Sequence, residues 1–389
     1  MGRVKLANFF LALSILASGA AWAQTPSAEN ASEWKRAATT HRLAAFPKVH
    51  PDGRVWFEFA APNAQKVELH VGAANKTSDM TKNKDGVWSA IIPYPGPGFQ
   101  AYWFVVDGLI VADPSSDMFY QNGYKSVVEV PSPGEDYYLI KPVPHGDVRE
   151  HWFHSKVTGE YRRMFVYTPP GYDANPRARY PVLYLQHGAG ENEAEWTHSG
   201  LANFILDNLL AEKKAVPMII VMNNGFAFPP GTPMPLGPRE TRPASVFEQM
   251  LLTEVIPDID ANFRTLADRE HRAMTGLSMG GMQTFDIAPR HTEMFSYIGT
   301  FSGPPLAGGS EEILKSVFDD AATFNKRVHL MWFAAGTAEP RFHNRAKEVI
   351  AMLNQAGIKT VFYESPETAH EWQTWRRCLH EFAPLLFKE

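Results

Sequence analysis

The sequence predicts two units: a small all-β sandwich, then a larger α/β unit on a mostly parallel sheet. Three observations predict this. Between residues 54 and 106, short runs alternate apolar and polar residues at period two, separated by turn dipeptides. Beyond residue 180, near-continuous apolar runs alternate with stretches of helical period. Between the two lie Pro131, Pro133, Gly134, Pro142 and Pro144, a joint of the kind found at domain boundaries. The chain, at 389 residues, is also too long for one hydrophobic core.

The elements follow in order. Arg3 and Lys5 precede an apolar run from Leu6 to Ala17, and Ala21-Trp22-Ala23 ends it with an A-x-A cleavage pattern. Residues 1–23 therefore read as a signal peptide for the bacterial periplasm or the exterior. The apolar run is about 12 residues, and a membrane span needs about 20, so no span is expected after cleavage. Residues 24–45 are small, polar and Ala-rich and read as a mobile linker. Residues 46–135 form the sandwich. Its strands are Arg54–Phe59, Lys66–Val71, Gly86–Ile92 and Ala101–Val106, with Asp52-Gly53, Asp85-Gly86 and Asp107-Gly108 as turns. Trp56, Trp88 and Trp103 sit in these strand patterns and are expected in the core. Residues 136–389 form the α/β unit. Buried strands are expected at Val182–Leu185, Met218–Met222 and His329–Phe333. Helices are expected at Leu201–Ala215, Ser245–Ala261, Glu311–Ala322 and Arg341–Gln355.

Composition excludes several classes. Hydrophobic residues are 44% and charged residues 20%, which excludes global disorder. The net charge is −5 and no basic block occurs, so nucleic acid is not an expected partner. Cys378 is the one cysteine, which excludes a disulfide framework and a Cys-cluster zinc site. His370-Glu371 and His380-Glu381 lack the second histidine of H-E-x-x-H, and Gly276–Gly281 lacks the Lys-Ser/Thr ending of a phosphate loop. Neither a metal nor a cofactor is expected.

The chemistry centres on Gly276-Leu277-Ser278-Met279-Gly280-Gly281. A strand ends near Thr275 and a helix begins at Gly281, stopped by Pro289. That is the context of a nucleophile elbow, in which a serine sits at a sharp strand-to-helix turn and small residues two before and two after relieve crowding. A serine hydroxyl needs a base, and in this fold the order is serine, acid, histidine. His291, His329, His343, His370 and His380 follow Ser278. His370 lies between the strand Thr360–Glu364 and the helix Glu371–Leu386, where such a base belongs; His329 reads as a core histidine. Glu339 is the first carboxylate after the strand His329–Ala335 and is the candidate acid, with Glu364 and Glu367 as rivals nearer His370. Val182–Gln186 runs into His187-Gly188-Ala189-Gly190, whose small residues suit an oxyanion hole. The donors are the N–H groups of Ala189 and of Met279, the residue after the nucleophile, with His187 shaping the loop. Trp196 and Trp372 lie beside these loops and are candidate substrate-binding residues. The Pro-rich stretch Gly225–Ser245 is a candidate wall of the acyl pocket.

These residues carry a family resemblance. His145-Gly146-Asp147-Val148-Arg149-Glu150, Tyr167–Tyr172, Pro181–Gly188, the elbow and His370-Glu371-Trp372 resemble carbohydrate esterase family 1, which includes feruloyl and acetylxylan esterases and has the enterochelin esterases and mycolyltransferases as relatives. The resemblance covers about residues 136–389 and implies an α/β-hydrolase fold. Ala61–Ala64, Asp85–Trp88, Val106–Gly108 and Asp113-Pro114 resemble the immunoglobulin-like early-set module of family 48 carbohydrate-binding modules. Two departures stand out. Ala189 replaces a glycine common in relatives, and Glu339 stands where the acid is often aspartate. The resemblance implies a secreted serine esterase acting on an esterified plant polysaccharide, feruloyl esters first. Alternatives are acetylxylan esterase, an enterochelin-esterase-like activity, or acyl transfer to a sugar. A non-catalytic carbohydrate-binding protein is disfavoured by intact Ser278, His370 and Glu339.

Overall fold

The computed structural model of the chain describes residues 32–72, 76–93, 96–120, 125–232, 244–305 and 319–388. The expected signal peptide at 1–23, residues 233–243 of the Pro-rich stretch and residues 311–318 of an expected helix lie outside these.

The first unit is a sandwich of two antiparallel sheets. One runs in the order Lys35–Arg36, Lys48–Val49, Val55–Ala60, Val87–Ile92, Thr81–Lys82. The other runs Phe119–Tyr120, Lys125–Val130, Gly98–Val106, Val67–Val71, Lys76–Asp79. The alternation seen in the sequence is the burial pattern: Val55 and Phe57 point inward with Val67, Leu69, Tyr102, Phe104 and Val128. Asp107 and Gly108 have φ of +48° and +89° and link Val106 to its partner Leu109. Two consecutive left-handed residues make the tight hairpin turn that Asp-Gly favours. Trp88 and Trp103 are buried as expected. Trp56 is only half-buried and packs edge-on against Trp34 at 5.7 Å. The lead-in expected to be mobile is structured from residue 32, because Lys35–Arg36 pairs with Lys48–Val49 and Trp34 and Ala37 are buried.

The second unit is one eight-stranded sheet. Its strands are β1 (Asp147–Ser155), β2 (Glu160–Thr168), β3 (Val182–Gln186), β4 (Ile219–Asn223), β5 (Arg272–Gly276), β6 (Tyr297–Phe301), β7 (Leu330–Gly336) and β8 (Val361–Ser365). The order across the sheet is β1-β2-β4-β3-β5-β6-β7-β8. The β1–β2 hairpin is antiparallel; β3 to β8 are parallel. The helices among the described residues are α1 (Glu195–His198), α2 (Ala202–Ala211), α3 (Ala244–Met250), α4 (Ile256–Asn262), α5 (Met279–Ile287), α6 (Ala321–Arg327), α7 (Pro340–Gln355) and α8 (Trp372–Phe382). Every residue of β3, β4, β5 and β6 is buried, as the apolar runs of β3 and β4 require. Two apolar clusters lie on opposite faces of the sheet, one around Leu183, Ile220 and Ala273, the other around Tyr184, Val221 and Met274. Successive strand residues thus alternate between clusters.

Local sequence explains the departures. The helix expected over Ser245–Ala261 is α3 and α4 joined by a π-helical turn at Leu251–Val255. Pro257 sits just beyond that turn. It has no N–H to donate and its ring crowds the carbonyl four residues back, so the widened turn accommodates it. His329 precedes β7 and is 43% exposed, paired with Glu270, rather than a core residue.

One apolar cluster spans the two units. Phe99 and Val127 of the sandwich belong to the same apolar cluster as Trp196, Trp372 and Phe382 of the α/β unit. Arg376 on α8 is fully buried and makes two bonds, 2.9 and 3.2 Å, to the carboxylate of Glu129 in the sandwich. Its Nε donates to the Ser199 carbonyl at 2.9 Å. The Pro-rich joint is equally anchored: Tyr138 is buried beneath Arg376, and the Asn208 amide on α2 donates to the carbonyls of Tyr137 and Leu139. His145, at the head of one resembling motif, bonds Asp207 at 2.8 Å, with Gly146 N–H and Tyr167 hydroxyl on the same carboxylate. That motif fastens the entry of β1 onto α2.

Candidate active site

Ser278 stands between β5 and α5 at the carboxyl end of the sheet. Its φ is +50° and ψ −113°, outside the regions an L-residue favours. The strain is held by neighbours. Ser278 N–H donates to the Phe301 carbonyl at 2.8 Å and Leu277 N–H to the Gln186 carbonyl at 3.1 Å. The flanking glycines are demanded by close approach. A Cβ on Gly276 would lie 2.7 Å from Gln186 Cβ, and one on Gly280 would lie 2.6 Å from the same atom. No larger residue fits at either place without moving β3.

The structure brings Ser278, His370 and Glu339 together from three strand ends. His370 Nε2 is 2.9 Å from Ser278 Oγ, and His370 Nδ1 is 2.7 Å from Glu339 Oε2. Glu339 follows β7 at the N-cap position of α7, with its side chain turned away from the helix; His370 lies between β8 and α8. Phe342 stacks on the imidazole at 4.2 Å and Trp375 meets it edge-on at 5.1 Å, so the ring plane is fixed on two sides. The other Glu339 oxygen, Oε1, accepts from Gly336 N–H at 2.6 Å and from the Ser302 hydroxyl at 2.5 Å. Ser302 Oγ in turn accepts from Trp375 Nε1 at 3.1 Å. With a carboxylate on Nδ1, that nitrogen carries the proton and Nε2 is left as the acceptor facing Ser278. The rival acids are elsewhere. Glu364 engages His343 at 2.6 Å and Lys347 at 3.0 Å, and Glu367 is exposed.

Ala189 and Met279, the expected oxyanion donors, are at the same end of the sheet. Gln186 pairs with Gly276 across β3 and β5, so the turn after one faces the elbow after the other. A Cβ on Gly188 would strike Leu277 Cδ1 at 2.5 Å, which measures how closely the turn lies on the elbow. His187 is buried, and burial pushes its imidazole down to about 4. Its Nε2 accepts from Gly225 N–H at 3.0 Å, so its Nδ1 donates to the Gly188 carbonyl at 2.8 Å. A neutral histidine with both nitrogens engaged by backbone shapes the loop and has no free base to offer.

Trp196 and Trp372 are corrected by the structure. Both are 1% exposed, and they pack edge-on against each other at 5.2 Å. Trp196 Nε1 donates to the Gln186 carbonyl at 2.8 Å. Their adjacency to the loops in sequence reflects a shared core beneath the site, so neither offers a face to substrate. Sequence reasoning also missed three residues. Ser302 and Phe342 carry no motif; only their positions after β6 and inside α7 hint at them. Glu191 had a signal, since Glu191, Glu193 and Glu195 alternate directly after the glycine turn and all three are buried.

Residues 155–385 match the family described as "Putative esterase". The chain is 38% identical over 351 residues to an endo-1,4-beta-xylanase/feruloyl esterase of Xylanibacter ruminicola, covering 88% of this chain and 46% of that protein. It is 27% identical over 308 residues to endo-1,4-beta-xylanase Y of Acetivibrio thermocellus, covering 73% of this chain and 27% of that protein. It therefore spans less than half the length of these two curated relatives. Among solved structures, the CE1 ferulic acid esterase of Anaeromyces mucronatus is 25% identical, with a TM-score of 0.56 over 65% of this chain and 95% of that one. The enterochelin esterase of Shigella flexneri is 16% identical, with a TM-score of 0.61 over 90% of this chain and 94% of that one. That likeness is one of fold, and its extent takes in the sandwich as well as the α/β unit.

Proposed function

The chain belongs to the esterase family, its likeness being to the CE1 feruloyl esterases, and from that premise we propose that it is a serine hydrolase of esters on plant cell-wall polysaccharide. The preferred acyl group is a feruloyl or related hydroxycinnamoyl group. The observation that carries the reading is the unbroken chain of hydrogen bonds from Ser278 through His370 to Glu339, at an elbow strained as a nucleophile's is.

In this reading His370 Nε2 takes the Ser278 proton as Oγ attacks the ester carbonyl. The Ala189 and Met279 N–H groups receive the oxyanion of the tetrahedral intermediate. Glu339 holds the proton on Nδ1 and steadies the imidazolium. His370 then returns the proton to the departing sugar oxygen, leaving an acyl group on Ser278. Water, deprotonated by His370, attacks the acyl-enzyme, and the carboxylic acid leaves as the serine is restored. Removing one oxyanion donor typically costs about 3 kcal/mol of transition-state stabilisation. Residues 1–23 serve as the export address, and residues 46–135 form an early-set module that travels with the esterase unit.

The test is product release by residues 24–389 from methyl ferulate and from acetylated xylan in parallel. Ferulate is expected, falling by at least about 10³-fold in Ser278→Ala. Acetate without ferulate would move the acyl group and keep the mechanism. Activity that survives Ser278→Ala would overturn both.

A further inference from the structure

Glu191 is a buried carboxyl next to the candidate oxyanion hole, and the mechanism above gives it no part. It closes the turn Gly188-Ala189-Gly190-Glu191 twice. Its N–H donates to the Gly188 carbonyl at 3.4 Å, and its Oε2 accepts from Gly188 N–H at 2.8 Å. Gly190, at φ +82°, makes the reversal possible. The residue between these fastenings is Ala189. The turn rests on Leu277, next to Ser278, so its position relative to the nucleophile is set by this closure.

The charges around Glu191 are as telling as its bonds. Glu195, on α1, faces it and takes a hydrogen bond from Ser199 at 2.8 Å. Tyr120, from the sandwich, brings its hydroxyl to the same carboxyl. Glu193 turns away to Arg163 of β2 at 2.8 Å and to Asn224 at 2.9 Å, so that cation is taken. His187 points its nitrogens at backbone. Among the described residues no cation pairs with Glu191.

We propose that Glu191 is the positioning residue of the oxyanion turn: its carboxyl fixes the Ala189 N–H for the reaction, and the turn favours the developing oxyanion only while that carboxyl is uncharged. The inference rests on the esterase reading above. The physical reason is simple. Negative charge develops on the substrate oxygen beside Ala189, and a second negative charge on the same turn opposes it in a medium that screens poorly. A protonated carboxyl accepts the Gly188 N–H without that penalty. Burial, and then the Glu195 carboxyl, push Glu191 up to about 8, against the downward pull of Gly188 N–H and the Tyr120 hydroxyl. The charged form therefore appears on the alkaline side of neutrality. The same shift sets a stability trend. The folded state holds a proton that the unfolded chain releases near 4.5, so this contribution is complete below that pH and is lost as pH rises towards about 8.

The test is kcat/KM for methyl ferulate from about pH 6 to about pH 9.5, with the uncatalysed rate subtracted. The wild-type chain is expected to lose activity on the alkaline side, with an apparent pKa of about 8, as the Glu191–Glu195 pair gives up its last proton. Glu191→Gln keeps an acceptor for Gly188, so it retains most of the neutral-pH kcat and loses that limb. Tyr120→Phe removes a donor that favours the charged form, so its limb moves to higher pH. Glu191→Ala frees the turn and lowers kcat on the order of 10²-fold with KM little changed. Melting curves for each variant separate these effects from unfolding. The inference is overturned if Glu191→Gln keeps the wild-type alkaline limb, or if wild type has none. Loss of activity in Ser278→Ala together with either result would sink the role of Glu191 alone; survival of activity in Ser278→Ala would sink the esterase reading instead.

Discussion

Replacing Glu339 by glutamine tests the orienting acid most directly, because the surrounding donors dictate how the amide must sit. Glu339 Oε1 faces two donors, Gly336 N–H at 2.6 Å and the Ser302 hydroxyl at 2.5 Å, and Oε2 faces His370 at 2.7 Å. The Gly336 N–H is fixed backbone and cannot turn away. The amide oxygen of Glu339→Gln must therefore face it, and the NH2 group then faces His370. Nδ1 is forced to accept, its proton moves to Nε2, and that nitrogen can no longer take the Ser278 proton. A wrong tautomer of this kind costs about 10⁴ in kcat, or about 5.5 kcal/mol. The amide can escape by flipping, but it then leaves the buried Gly336 N–H unsatisfied at about 1–3 kcal/mol. The flipped form also gives His370 a neutral partner, roughly half as strong as a charged one. Together these bracket the loss between about 30-fold, for the flipped amide, and about 10⁴-fold, for the wrong tautomer. The assay is kcat for ferulate release from methyl ferulate near neutral pH, with Ser278→Ala as the floor. A kcat within about tenfold of wild type, in a protein with an unchanged melting curve, would refute Glu339 as the orienting acid.

Two further outcomes concern the scaffold. Arg376→Met leaves Glu129 buried without its partner and the Ser199 carbonyl without its donor, so it should cost about 3–5 kcal/mol, whereas the double variant with Glu129→Met should recover most of it; denaturant melts measure both, and a double variant as unstable as the single would refute the pairing. Trp372→Ala opens a cavity beneath the site, so about 3–5 kcal/mol of stability should go while KM for methyl ferulate holds at temperatures where the protein is folded; unchanged stability with a raised KM would return Trp372 to the substrate surface.

The sandwich and the parallel sheet were legible because local pattern and tertiary burial agree there. Val55 and Phe57 alternate with half-buried Trp56 and Glu58 since one face of that strand meets the core. The runs Val182–Leu185 and Ile219–Met222 are apolar throughout since both faces are covered. The elbow was legible for a different reason: the crowding at Gly276 and Gly280 admits only glycine, and that constraint is written into the residues themselves. His370 and Glu339 could be placed because an α/β sheet gathers its strand ends at one edge, so chain order narrows the choice.

The sequence by itself determined which residue types stand at the strand ends and in what order, because periodicity, glycine and proline act through the local backbone. Only the tertiary structure decided which groups meet. Glu339 rather than Glu364 reaches His370 because Gly336 and Ser302 hold its carboxyl, and Ser302 arrives from another strand. Trp196 and Trp372 fall beneath the site rather than on it because two segments far apart in the chain close a common core there. The sandwich joins that core through Glu129 and Arg376, residues that no motif singles out. Contacts such as these depend on directions in space, and a sequence pattern fixes a side chain's face on its own element but not the partner that the fold brings to it.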